Sequence, residues 1–148
     1  MFKSILVPTD GSDVSAKATK QAIAIAKGMK AKVVGVHVSP EFHTILENEY
    51  MGPVPMMSRR EFNASAKAAG EKYLESVARA AKSAGVPFES VVVAADRVHE
   101  ALIKTAKKKK CDLIIIASHG RTGLSSLILG SVTQRVLSHS NIPVLVLR

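Results

Sequence analysis

The chain has one cysteine, Cys111, no tryptophan, and six aromatic residues (four Phe and two Tyr) in 148 positions. A single thiol excludes an internal disulfide and a cysteine-rich metal site. Five histidines are present, and His43, His99 and His139 lack the clustered spacing that zinc requires. So few rings leave little for stacking on single-stranded nucleic acid. No apolar run approaches the ~20 residues needed to cross a bilayer. Met1 to Val7 is followed too soon by Pro8 and Asp10 to read as a signal peptide, so the expected compartment is the cytoplasm. Acidic residues also run out: none follows Asp112, whereas Arg121, Arg135 and Arg148 remain.

Hydrophobic residues make up 47% and charged residues 22%, the balance of a folded domain with a sizeable core. The length fits one domain over residues 1–148. The net charge of +9 predicts attraction to anions without choosing among nucleotide, nucleic acid and membrane surface. Lys17, Lys20, Lys27, Lys30 and Lys32 are spread around one helix and its exit. Lys107 to Lys110 reads as a solvated helix end, where cations favour the negative end of the dipole. Cys111, just before an apolar strand, reads as inert packing.

Apolar runs alternate with helical patterns. Ser4 to Val7 predicts a buried strand ended by Pro8-Thr9-Asp10-Gly11. Ser12 or Asp13 caps a helix with Ala18, Ala22, Ile25 and Met29 at helical spacing. Strands are predicted at Lys32–Val38, Val91–Ala94, Leu113–Ala117 and Val144–Leu147, and helices at Phe62–Ala84, Val98–Lys109 and Val132–Leu137. The Phe62–Ala84 helix stops at Gly85 and Pro87, and its alanine and leucine stripe reads as core or interface. Strands separated by helices imply a mainly parallel sheet with helices on both faces. Ligands of such sheets bind beyond the carboxyl ends of the strands, where strand order reverses. Residues 39–58 break the rhythm with Met51, Met56, Met57, Pro40, Pro53, Pro55, Phe42 and Tyr50. That composition suggests a lid or a partner contact, against plain disorder.

Residues 117–131, Ala-Ser-His-Gly-Arg-Thr-Gly-Leu-Ser-Ser-Leu-Ile-Leu-Gly-Ser, carry the strongest functional signal. A glycine-rich turn joins a buried strand to a helix start, and Gly120 and Gly130 allow close ligand approach and positive φ. Ser131 is the expected N-cap, with Gln134 completing a capping box. The free N–H groups and dipole of that helix start suit an anion. The alternative is a tight connection and nothing more, and Asp10 is alternatively only a residue leading into a helix. His37 reads as a satisfied core histidine and His119 as a residue that orients the loop.

Several stretches together resemble the universal stress protein family: Ile-Leu-Val-Pro-Thr-Asp-Gly-Ser (residues 5–12), His37-Val38, Ser118-His119-Gly120, and Ile142-Pro143-Val144-Leu145-Val146. The family's nucleotide-binding branch has Gly-x2-Gly-x9-Gly-Ser/Thr after its fourth strand. Gly120, Gly130 and Ser131 match that pattern, and Ala117 stands at its first glycine. The resemblance implies a Rossmann-like open sheet of five mainly parallel strands in the order 3-2-1-4-5. It implies ATP, ADP or AMP as ligand, with Mg²⁺ carried by the phosphates. Pro8 and Thr9 would then line the base and Asp10 would meet the ribose or base. Val38 would bond adenine through its main chain, with Ile116 and Ala117 packed below. Gly120, Arg121, Gly130, Ser131, Val132 and Thr133 would surround the phosphates. It also implies a homodimer through Val144–Leu147, which covers an exposed strand edge.

No general base is evident beside the loop, so chemistry on the nucleotide, if any, is expected to be slow hydrolysis. The competing readings are a nucleotide-hydrolysing or adenylate-transferring enzyme, a nucleotide-free interaction module, and a nucleic-acid binder. The last is disfavoured by dispersed basic residues and few aromatics.

Overall fold

The computed structural model describes residues 1–42, 57–121 and 128–148. Its elements run β1 (Ser4–Pro8), α1 (Asp13–Met29), β2 (Lys32–Ser39), α2 (Arg59–Ala84), β3 (Phe88–Ala94), α3 (Val98–Lys108), β4 (Leu113–Ala117), α4 (Ser131–His139) and β5 (Val144–Leu147). The five strands form one sheet in the order β3-β2-β1-β4-β5, and every neighbouring pair is parallel. Strand order reverses between β1 and β4, which pair through Ile5 with Leu113 and Leu6 with Ile114.

Alternation along the strands divides the core into two layers. Ile5, Val7, Val33, Leu113 and Ile115 face one side and pack with Ala22, Ile23 and Ala26 of α1 and Val77 and Ala81 of α2. Leu6, Val34, Val36, Ile114 and Ile116 face the other and pack with Leu102 and Ala106 of α3 and Val136 of α4. Burying both faces explains why the strands read as nearly continuous apolar runs. Each fully buried Leu, Ile or Val contributes about 1.5–3 kcal/mol.

Several boundaries and faces differ from the sequence reading. In α1 the N-cap is Ser12, whose side chain accepts from the Ser15 amide, and the buried stripe includes Ala18, Ala22 and Ala26. Ile25 and Met29 are only partly buried, at the edge of that layer. Helix α2 starts three residues before Phe62, at a complete Ser58–Glu61 capping box, and ends at Gly85 with φ 72°. Strand β3 starts at Phe88 because Phe88, Glu89 and Ser90 pair with Val33, Val34 and Gly35. Glu89 is held there between Lys32 and Lys109. The Lys109 hydrogen bond leads the forces that keep its carboxyl below the usual range, against some burial.

At the amino ends of the strands, Asp112 clamps β1 to β4 by accepting from the Lys3 and Ser4 amides at 2.9–3.1 Å. Burial pushes the Asp112 carboxyl upward, but these amide donors outweigh it and hold the group below its ordinary pKa. Cys111 is buried beside Ser4, and burial raises its thiol pKa. Among the described residues no helix is long and apolar enough to cross a membrane. Most of the 39–58 connection, including Met51 and Met56 of the segment read as a lid or a partner contact, lies outside the described residues.

Candidate functional site

The carboxyl ends of β1, β2 and β4 and the start of α4 enclose a crevice of about 310 Å³, within the range of small-molecule sites. All twelve residues singled out from the sequence line it: Pro8, Thr9 and Asp10 after β1, Val38 on β2, Ile116 and Ala117 on β4, Gly120 and Arg121 in the loop, and Gly130, Ser131, Val132 and Thr133 at α4. Ser15, Val36, Val98, Leu102 and His119 complete the wall. Of these, the sequence reading singles out only His119, as a residue that orients the loop. Leu102 was legible only as helix core, and nothing in the pattern reveals that α3 turns Val98 and Leu102 toward the crevice.

One end of the crevice is apolar, bounded by Val36, Val38, Leu102 and Ile116. Strand β1 pairs with β2 as far as Pro8 opposite Val36, and the Thr9 amide donates to the Val36 carbonyl at 2.9 Å. Main-chain groups two residues apart on a strand point to the same side. The N–H and C=O of Val38 therefore point into the gap where β1 has ended. Ala117 follows Ile116 on β4, so alternation places its methyl on the Leu113 and Ile115 side of the sheet. It does not share the Ile116 face.

The other end is the start of α4. Its N-cap is Gly130, not Ser131, and no side chain caps it. The Ser131–Gln134 capping box expected from the sequence does not form. The reason is local: the Gly130 carbonyl accepts from the Gln134 amide at 2.9 Å, and the Gly130 amide donates to the Ser118 carbonyl at 2.8 Å. Ser131 thereby becomes the first helical residue. The amides of Ser131, Val132 and Thr133 have no carbonyl a turn earlier in the helix to bond, and these residues face the crevice. The Thr133 hydroxyl donates its proton to the Ala117 carbonyl at 2.8 Å, so that side chain has no donor left for a ligand.

The two motif glycines serve intramolecular fit. Neither adopts the positive φ that glycine allows. A Cβ on Gly120 would lie 2.5 Å from Asp10 Oδ2, and one on Gly130 would lie 3.1 Å from the His119 Cα. Asp10, beside Gly120, is the brace of the loop. Its carboxylate accepts from the Ser12 amide at 2.9 Å and the Arg121 amide at 3.0 Å. The Arg121 side chain turns away from α4: Nε donates to the Asp10 carbonyl at 2.9 Å and Nη2 to Tyr73 Oη at 2.6 Å.

His37 is half-buried on the α2 side of β2, with Nδ1 2.9 Å from the Thr9 carbonyl and its ring edge against Tyr73. It is satisfied, as expected, but it is not in the core. His119 Nδ1 lies 3.0 Å from Ser118 Oγ, beside the backbone approach of Gly130. Among the described residues no three His, Cys, Asp or Glu side chains gather to hold a metal ion. The loop at 122–127 lies outside the described residues.

A model of the universal stress protein family matches residues 1–148. The universal stress protein YxiE of Bacillus subtilis is 35% identical over all of this chain and all of its own length. Universal stress protein MJ0531 of Methanocaldococcus jannaschii is 34% identical over all of this chain and 83% of its own. The solved structure of MJ0577, from the same archaeon, superposes with a TM-score of 0.82 at 30% identity, covering 99% of this chain and 96% of that one. A universal stress protein from Archaeoglobus fulgidus, solved in complex with dAMP, shares the fold with a TM-score of 0.69 at 17% identity, covering 99% and 98%.

Proposed function

As the chain belongs to the universal stress protein family, we propose that its crevice binds an adenine nucleotide, ATP, ADP or AMP. Mg²⁺ would be carried by the phosphates. The observation that carries this reading is the set of unspent main-chain groups at the two ends of one crevice. Val38 offers an N–H and a C=O beside an apolar slot, matching a flat heterocycle with adjacent donor and acceptor atoms. Ser131, Val132 and Thr133 offer helix-start amides, matching phosphate oxygens.

Pro8, Thr9, Ile116 and Ala117 line the base end in this reading. Asp10 already accepts two amides, yet a carboxylate has about four lone-pair sites, so a ribose hydroxyl can add to it. Gly120 and Gly130 hold the loop in shape, Arg121 ties it to α2, and the Ser131 hydroxyl joins the phosphate shell. The protein acts as a regulatory nucleotide binder in the response to stress, and any hydrolysis is slow. It works as a homodimer paired through β5, an edge strand where Leu145 is exposed.

Calorimetric titration of the full chain with ATP and Mg²⁺, then ADP and AMP, tests the binding. Saturable heat and a thermal upshift are expected, and neither at millimolar nucleotide overturns the reading. Gly130→Asp removes binding but crowds the His119 backbone, so Ser131→Glu is the cleaner variant. Its carboxylate suits a helix N-terminus and occupies the anion position, so binding falls at least tenfold in a protein that stays folded.

A further inference from the structure

On the opposite face of the sheet, α1 and α2 enclose a second cavity of about 510 Å³ that shares only Thr9 with the crevice. Lys20 of α1 and Lys72 and Arg79 of α2 line it, and Glu75 is the single acid among its lining residues. Arg79 engages Glu75 at 3.4 Å, and among the described residues neither Lys20 nor Lys72 forms an ion pair. Thr19, also in the lining, is 4% exposed. Its Oγ1 is the buried side-chain polar atom without a hydrogen-bond partner among the described residues. A threonine inside a helix ordinarily turns its hydroxyl to the carbonyl one turn back. Here the hydroxyl sits unspent at a groove bearing two ammonium groups.

We propose that the α1–α2 groove binds a small phosphomonoester. At neutral pH such a group carries about −1.5 to −2 charges, which matches the two ammonium groups of Lys20 and Lys72. The Thr19 hydroxyl, closed off from the groove in the free protein, reaches an oxygen of the ligand by turning about its Cα–Cβ bond, and Ala16, Val77 and Ala80 receive the carbon skeleton. A polyanion such as nucleic acid is matched less well, because the two free charges face one concave pocket. The site stands apart from the nucleotide crevice, and neither proposal depends on the other.

The test is an amide chemical-shift titration of the full chain with sn-glycerol 3-phosphate and with inorganic phosphate, at constant ionic strength. It is run on the parent and on Ser131→Glu. Saturable shifts over residues 16–20 and 72–79 are expected in both proteins. A Lys20→Ala and Lys72→Ala double variant should weaken binding at least tenfold, and Thr19→Val severalfold with the fold intact. The proposal is overturned by shifts confined to residues 118–121 and 130–133, by loss of the response in Ser131→Glu, or by an equal response to chloride. Unchanged affinity in the lysine or Thr19 variants overturns it as well.

Discussion

The contact between Gly120 and Asp10 makes a prediction about both the fold and the crevice. Asp10 accepts two amide hydrogen bonds, from Ser12 at 2.9 Å and Arg121 at 3.0 Å. Hydrogen bonds to charged groups contribute about 1.5–3 kcal/mol, and partial exposure places these at the lower end. Asp10→Ala should therefore lose about 2–3 kcal/mol, or about 8–12 °C in melting temperature at roughly 4 °C per kcal/mol. Asp10→Asn keeps one oxygen acceptor and should lose about half as much.

Gly120→Ala places a Cβ 2.5 Å from Asp10 Oδ2, below the 3.0 Å that real Cβ contacts respect. The carboxylate must yield, and the Arg121 bond goes with it, at about 1–2 kcal/mol. In an Asp10→Ala background that obstacle is gone. Gly120 lies outside the left-handed region, so the alanine then becomes neutral or stabilises by about 0.4–1 kcal/mol through the unfolded chain. The double variant should therefore be more stable than the sum of the single effects by about 1–3 kcal/mol. Thermal and urea unfolding of the four proteins measures this coupling. Additivity within about 0.5 kcal/mol would refute the brace.

Acid should expose the Asp112 clamp. Its folded pKa lies below the ordinary 3.8, so its stabilisation is present above that value and is lost as pH falls through the folded pKa. Asp112→Asn should cost about 1–2 kcal/mol at pH 7, with the gap to the parent closing toward pH 3 in urea melts; a constant gap would contradict the assignment. Ser58→Ala should cost about 1 kcal/mol by removing the α2 capping box, read as a lower melting temperature. Cys111, buried with a raised thiol pKa, should react with a thiol reagent in native protein far more slowly than in urea. If β5 mediates pairing, Leu145→Lys should halve the mass seen by light scattering without lowering helix content.

The parallel sheet and the crevice were legible because burial on both faces writes long apolar runs and because a glycine-rich turn after a buried strand has few uses, whereas the strand order came only with the family resemblance. What stayed hidden was set by tertiary contact. The start of β3 was masked by Phe88-Glu89-Ser90, where Glu89 is tolerated because Lys32 and Lys109 flank it. The N-cap of α4 was misread because Ser131-x-x-Gln134 fits the capping-box pattern, while the Ser118 carbonyl had already claimed the Gly130 amide. Val98 and Leu102 looked like ordinary core, since helical spacing does not say which strand end a helix overhangs.

The identities of Gly120, Gly130, Asp10 and Thr133 all follow from fit within the loop. One glycine clears Asp10, the other clears the His119 backbone, Asp10 braces two amides, and Thr133 holds the Ala117 carbonyl. A chain that bound no nucleotide would need the same residues to hold the same loop. The motif therefore testifies to loop geometry first and to ligand second. In the proposed function, recognition rests instead with groups no side-chain pattern can encode: the main chain of Val38 beyond the end of β1, and the amides of residues 131–133. Loss of binding on substituting a motif glycine therefore cannot separate a broken loop from a blocked site. A carboxylate at Ser131 can, because it leaves the brace untouched and competes for the anion position alone.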